Sequence, residues 1–444
     1  MKTTRILSMF MLLVIFSWSS AGIAFESLWD LDDLFSDDVI VEHSQAVQYD
    51  VDRELHAKRI GVTGQIGTFT AYSRSEDTDS IYNAITSDVT CEVRLPDGYR
   101  GLLSLELNYY PSGVDLVSMV KVGDDVVPIT TTTHADITIN EFFLDAHWNR
   151  QVYLRTGKQV LKWGRGYFWN PTDMINVEKN DFAALDKTRA GTFGARVHVP
   201  FGMTRNLYFF AGLDGIERLA ETSLAAKYEF LVGNTEMSIS AWNKQNLNPV
   251  YGFDISGRVS SVDLRGEVGV SQGYNRTTMD VDTYEFLRST QWTSRVSLGA
   301  SKSFDHANIS DRISVSTELY YNQDGYEENV FSKLSELDLT DQAQSATYMR
   351  YMTEVYEPYQ NSKYYLAYFT SVQRFPHPNM TLSVNGITNL VDKSTTFSTG
   401  LSYKPSLSDM SVSLSANTYF GRENTEATFH GNRFSISLAT RIVF

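Results

Sequence analysis

The chain has 444 residues, of which 42% are hydrophobic, with a net charge of −15 and a single cysteine, Cys91. No apolar run reaches the roughly 18 residues that cross a bilayer as a helix, which excludes a polytopic helical membrane protein. The acidic balance excludes a broad basic face for nucleic acid, and one cysteine excludes an intramolecular disulfide framework or a cysteine-rich zinc site.

The N-terminus has three parts. Lys2 and Arg5 carry positive charge, Ile6 to Trp18 is apolar, and the small residues Gly22 and Ala24 follow. This order predicts an export signal peptide over 1–24, cleaved after Ala24. Residues 25–62 are predicted to be a periplasmic leader. From Phe25 to Gln45 it is acidic, without Lys or Arg, and Leu28, Trp29, Leu31, Leu34 and Phe35 interleave with the acids. Such a stretch suits a short amphipathic helix or a solvated arm.

Residues 63–444 are dominated by alternation of apolar and polar side chains, the mark of a strand with two unlike faces. Val89, Cys91, Val93 and Leu95 alternate with Thr90, Glu92 and Arg94, and after a turn Leu103, Leu105, Leu107 and Tyr109 repeat the pattern. Strands are predicted near 63–72, 89–95, 102–109, 137–148, 152–160, 190–199, 205–213, 222–231, 235–244, 251–260, 262–271, 291–302, 312–321, 363–373, 379–387, 396–403, 410–420 and 433–444. Their length suits a tilted membrane-crossing strand. Connections after even-numbered strands are short. Those after odd-numbered strands include all the long ones: Ser73–Asp88, Pro111–Asp136, Leu161–Arg189, Ser271–Thr290 and Asn322–Asn361. The predicted fold class is therefore all-β: a transmembrane antiparallel up-and-down β-barrel of about 18 strands, with 16 as the fallback count. Aromatic residues near strand ends, Tyr109, Trp292, Tyr321, Tyr364 and Phe434 at one rim and Trp148 and Tyr403 at the other, suit interfacial girdles.

Parity assigns the inward positions. The inward acids are Glu92, Glu106, Glu141, Asp145, Glu229, Asp254, Asp263, Glu267 and Glu318. The inward bases are Arg94, Arg155, Arg196, Lys227, Arg258, Arg265, Arg295 and Arg441. A lining of this kind cannot form a dry core and implies a wet, charge-balanced lumen. Alternation stops at Leu161–Arg189. A loop of this mixed aromatic and charged type folds into the lumen as a constriction or caps the mouth. In the first case Lys162, Arg165, Asp173, Lys179, Asp181 and Lys187 would face passing solutes.

Within and just before that loop stand Gly157, Lys158, Gln159, Trp163, Gly164, Asn170, Pro171 and Asp173. This Gly-(Lys/Arg)-Gln, Trp-Gly, Asn-Pro-x-Asp series resembles a group of porin-like outer-membrane barrels of Gram-negative bacteria that includes the alginate-export type and a related uncharacterised family. The resemblance covers roughly Glu141 to Gly212 and implies an envelope transport role. The last strand, with Ile436, Leu438 and Ile442 in phase with the terminal Phe444, resembles the C-terminal signal read by the barrel-insertion machinery, so Phe444 is the expected assembly signal.

Enzymatic barrels need histidine with partners at the outer rim. Of the eight histidines only His134 and His430 fall in predicted outer loops, and no H-x-x-x-H, H-E-x-x-H or Walker pattern occurs. No enzyme, cofactor or metal is expected. The expectation is an integral protein of the cell outer membrane, a porin-like channel passing small hydrophilic solutes or oligosaccharides. The expected partners are outer-membrane lipid and lipopolysaccharide, the insertion machinery and the solute, with no nucleic acid. The alternative is a structural or adhesive surface barrel that binds a partner through its long outer loops.

Overall fold

A computed structural model describes residues 60–444 except 76–77, 96–97, 123–124, 162, 174, 176–189, 217, 274, 307–308, 407 and 430. The predicted signal peptide and almost all of the predicted leader lie outside the described residues. So do Lys162, Lys179, Asp181 and Lys187.

The alternating segments close into one ring. In chain order the strands are β1 (Ile60–Ser75), β2 (Asp79–Arg94), β3 (Arg100–Val122), β4 (Asp125–Trp148), β5 (Val152–Gln159), β6 (Thr192–Pro200), β7 (Arg205–Gly212), β8 (Ser223–Val232), β9 (Thr235–Asn243), β10 (Val250–Val259) and β11 (Val262–Gln272). A two-residue hairpin, β12 (Thr278–Met279) and β13 (Phe286–Leu287), sits in a loop. The ring continues with β14 (Trp292–His306), β15 (Ile309–Asn322), β16 (Tyr364–Gln373), β17 (Met380–Asn389), β18 (Thr395–Tyr403), β19 (Met410–Phe420) and β20 (Asn432–Val443). Neighbours in the chain pair antiparallel, and β20 pairs with β1, so the sheet is an 18-stranded closed barrel. The count is that of the sequence reading, not its fallback of sixteen.

Closure removes the edge strands that an open sheet would leave unpaired. Outward positions carry Ile66, Ile137, Phe142, Leu144, Ile239, Leu298, Leu414 and Leu438, all exposed. Tyr109, Trp292 and Tyr364 rim one end of this apolar belt, and Trp148 and Tyr403 the other. Serines, asparagines and charged groups face inward. The turns at one end are tight. Between β4 and β5, Asn149 and Arg150 both take positive φ (49° and 54°), the mirror-image turn that matches strand twist.

Two predicted loops and one boundary need correction. Ser73–Asp88 and Pro111–Asp136 are not loops: β1 and β2 pair out to Arg74↔Asp79, and β3 and β4 out to Val122↔Asp125. Pairing continues through stretches whose alternation is broken by adjacent apolar pairs, Ala84-Ile85, Leu116-Val117, Met119-Val120 and Val126-Val127, and by the polar β-formers Thr130 to Thr133. The barrel also starts earlier than predicted, at Ile60, because Ile60 to Gly64 pair with Val93 to Val89.

The C-terminus completes the ring. Gly64 donates to the Phe444 carbonyl at 2.9 Å and Phe444 donates to the Gly64 carbonyl at 2.8 Å. Its ring points outward, 58% exposed, in phase with Ile442. Deleting Phe444 removes both closing hydrogen bonds and the terminal outward aromatic. The heat-modifiable folded fraction in cells is expected to fall several-fold, measured by gel mobility of heated and unheated samples. An unchanged fraction would exclude Phe444 from assembly.

Candidate functional site

The chain between β5 and β6 turns into the barrel. Leu161, Trp163, Phe168, Trp169 and Ile175 are buried. Residues 165–172 form neither helix nor strand, so their backbone N–H groups need acceptors from elsewhere. Two carboxylates on the wall supply them. Glu267, on β11, accepts from the backbone N–H of Arg165, from that of Gly166 at 2.5 Å and from that of Thr172 at 3.3 Å, and from the Thr172 hydroxyl at 2.9 Å. Glu318, on β15, accepts from the N–H of Tyr167 (2.9 Å), Phe168 (3.4 Å) and Trp169 (2.7 Å), and from the Ser297 hydroxyl at 2.8 Å.

Aromatic packing secures the far end. Trp169 stacks on Tyr320 with ring centroids 5.3 Å apart, and its indole N–H donates to the Tyr359 carbonyl at 2.8 Å. The wall is recessed to receive the segment: a side chain at Gly269 would meet the Pro171 carbonyl oxygen at 2.5 Å. Gly164 and Asn170, two positions of the motif seen in the sequence, pack directly on each other. Since β15 lies eight strands from β5 in the ring of eighteen, the segment reaches nearly the opposite side of the barrel. Of the two arrangements the sequence left open, the described part adopts the inward one.

Arg165 is not placed where a free constriction charge would be. Its side chain is only 10% exposed and lies among Glu229 (3.7 Å), Asp254 (3.1 Å) and Glu236. Lys227 joins the same group, 2.8 Å from Glu229 and 3.5 Å from Asp254, and donates to the Trp163 carbonyl at 2.7 Å. Two bases and three acids thus tether the segment to β8, β9 and β10. Removing one partner from such a buried group costs about 3–5 kcal/mol. Asp173 is buried as well, with its N–H on the Asn170 carbonyl at 3.0 Å.

The other predicted wall residues fall into pairs. Glu92 binds Arg94 and Arg100, each at 2.6 Å, and Asp145 binds Arg155 at 2.6 Å. Arg155 also lies 3.7 Å from the Phe143 ring centroid. Arg196 stands beside Arg155 in register. Arg258 pairs with Asp263 at 2.5 Å. Arg265 covers the Tyr167 ring at 3.6 Å and donates to the Ser301 hydroxyl at 2.7 Å. Glu106 accepts from Asn108 at 2.8 Å, and Glu141 from the Val160 N–H at 2.9 Å. Arg295 lies in register with Gly269 and has no ion pair among the described residues. The sequence reading missed Glu236 and Arg100. Strand parity could have found the first; the second was hidden at a turn boundary.

The long loops fold together at one end. The loop after β15 carries helices α1 (Val330–Leu334) and α2 (Gln342–Arg350). Val330, Phe331, Leu334, Tyr351, Met352 and Tyr356 form a buried cluster with Met279, and Phe429 packs on Phe331 at 4.9 Å. Glu426 sits beneath, buried. It accepts from the Tyr359 N–H at 2.8 Å, the Tyr365 hydroxyl at 2.9 Å and the Asn389 amide at 2.7 Å. Burial, reinforced by the nearby Asp392 charge, pushes its carboxyl up to about 7.

No protein-family model and no curated protein sequence matches the chain. Solved structures share its fold. Pseudomonas aeruginosa OccK8 (OprE) superposes with a TM-score of 0.54 at 7% identity, covering 87% of this chain and 98% of that one. The BenF-like porin from Pseudomonas fluorescens Pf-5 gives 0.52 at 8%, over 87% and 99%. Acinetobacter baumannii OccAB4 gives 0.51 at 8%, over 87% and 98%. At such identities the likeness is one of fold.

Two outcomes follow from the anchors. Glu318→Ala or Glu267→Ala strips the acceptors from the segment, and Arg165→Glu sets a fourth acid among three. Each is expected to free the segment and raise both conductance and current noise in bilayers, with the barrel still folded. Arg258→Met, at an exposed pair near the tight turns, should change neither. Unaltered traces from all three anchor variants would show that the segment does not limit the passage.

For Glu426 the folded-state value is raised above 4.5, so its contribution to loop docking is full below about pH 4.5 and is lost as pH rises through about 7. Protease resistance of the loop 323–363 should therefore decline over that window, and Glu426→Gln should flatten the decline. An identical profile in the variant would assign the pH dependence to another group.

Proposed function

We propose that this protein is an outer-membrane channel for small hydrophilic solutes or oligosaccharides, exported by its signal peptide and inserted by the barrel-assembly machinery through its C-terminal strand. The observation that carries this reading is the anchored segment 163–173 inside a closed barrel with a polar wall. A barrel that only presents loops to a partner gains nothing from holding eight residues of irregular backbone within its bore by two buried carboxylates. The apolar belt between aromatic rims supports insertion in lipid. The fold it shares with OccK8, OccAB4 and the BenF-like porin is compatible with transport. The resemblance to the alginate-export type covers roughly Glu141 to Gly212, with its motif between Gly157 and Asp173, and assigns no solute.

The charged wall is largely paired within itself, so it sets up no strong field of one sign. The acids of the loop 323–363, Glu327, Glu328, Glu336, Asp338 and Asp341 among them, suit a solvated surface near lipopolysaccharide. Purified protein in planar bilayers should give stepwise conductance in KCl that falls when large neutral polymers enter the bore. A folded protein that stays silent at all voltages would overturn the channel reading and favour a surface barrel binding a partner through its loops.

A further inference from the structure

The inner wall is divided by charge. Strands β8 to β11 carry Lys227, Glu229, Glu236, Asp254, Arg258, Asp263, Arg265 and Glu267. Strands β16 to β19 contain no Asp, Glu, Lys or Arg at all. Apart from the apolar cluster of Tyr365, Ala367, Phe369 and Ile387, most of their inward positions are small and polar instead. Register places Asn385, Ser398, Asn417 and Ser435 side by side on β17 to β20, and the row continues to Ser73 and Ser80. One step along the strands lies a second row: Ser303, Ser314, Ser371, Ser383, Gly400, Ser415 and Ser437. Gly400 has no side chain, and its backbone carbonyl accepts from the Ser383 hydroxyl at 3.3 Å.

Part of this face has its hydrogen bonds met. Ser415 and Ser437 share one at 2.6 Å, and the Asn417 amide donates to Ser435 at 3.2 Å. Part does not. Ser371, Ser398, both polar atoms of Asn385 and the carbonyl oxygen of Asn417 are buried without a partner among the described residues. These four residues are 3–6% exposed and lie on four consecutive strands. Leaving a buried donor or acceptor unmet costs about 1–3 kcal/mol. The row thus keeps hydrogen-bonding capacity that no described residue meets.

Building on the channel reading, the geometry points to a subsite for neutral polyhydroxylated solutes, sugars or sugar alcohols, on the face formed by β16 to β19. Hydroxyl and amide side chains both donate and accept, as a polyol does. Strands repeat about every 4.8 Å, so a polyol moving along the face can exchange one set of hydrogen bonds for the next. Each exchange replaces bonds to lumen water, which keeps the net cost small. A formal charge on the solute would gain nothing from a face without ions. The aromatic end of the inward segment, Phe168 and Trp169, packs on Tyr365, Ala367 and Phe369 of β16 and Ile387 of β17, so the uncharged face begins beside the segment and continues around the ring from there.

The test uses the full chain in liposomes and planar bilayers, with sorbitol as the neutral probe and gluconate as its charged analogue. The double variant Asn385→Leu/Asn417→Leu keeps side-chain size and removes the amides. It is expected to slow sorbitol entry about fivefold or more, the effect of losing two hydrogen bonds of ordinary net strength. KCl conductance and gluconate entry should stay near the parent values. Ser398→Ala, which removes one hydroxyl without adding bulk, should slow sorbitol in the same direction and serves if the double variant does not fold. Unchanged sorbitol entry, or equal slowing of sorbitol and gluconate, overturns the subsite while leaving the channel intact. A parent protein without KCl conductance overturns the channel reading itself, and the subsite with it.

Discussion

Two carboxylates hold the interior of this protein together. Glu267 and Glu318 stand on the barrel wall and accept hydrogen bonds from the backbone of a segment that has no secondary structure of its own. A helix or strand would satisfy those donors internally; an irregular chain inside a barrel cannot. Charged acceptors are stronger than neutral ones, and each here meets several donors at once. The segment's path, the burial of Trp169 and the seat of Pro171 on Gly269 all depend on this arrangement.

The five-group ion cluster around Arg165 acts in the same direction. A lone arginine inside a barrel would project a field into the bore. Surrounded by Glu229, Glu236 and Asp254, Arg165 spends its charge on attachment. Paired charges on β8 to β10 thus fix the segment, while β16 to β19 carry no charged residue. The outer loops add a second layer. Their own apolar cluster stabilises them, and Glu426 joins them to the rims of β16 and β17 through Tyr365 and Asn389.

How legible each feature was depends on the range of the forces behind it. Strand parity is a two-residue period, so it could be read along the chain and placed all but β2, β3 and β4 within a few residues. It failed at Ser73–Asp88 and Pro111–Asp136, where adjacent apolar pairs such as Leu116-Val117 and Val126-Val127 and the run Thr130 to Thr133 break the alternation while pairing continues. The wall charges were legible as inward positions. The uncharged composition of β16 to β19 was also present in the sequence, but a search for charges passes over serine.

The sequence by itself determined the alternation, the tight turns at one end and the long loops at the other, because each rests on neighbours a few residues apart. It therefore determined the barrel. The tertiary structure alone decided which carboxylates meet the inward segment, since Glu267 and Glu318 lie some hundred and more residues from the backbone groups they bind. It decided too that Arg165 is a tether and not an exposed charge. Both outcomes depend on which strands closure brings face to face across the bore, and no local period in the chain encodes that.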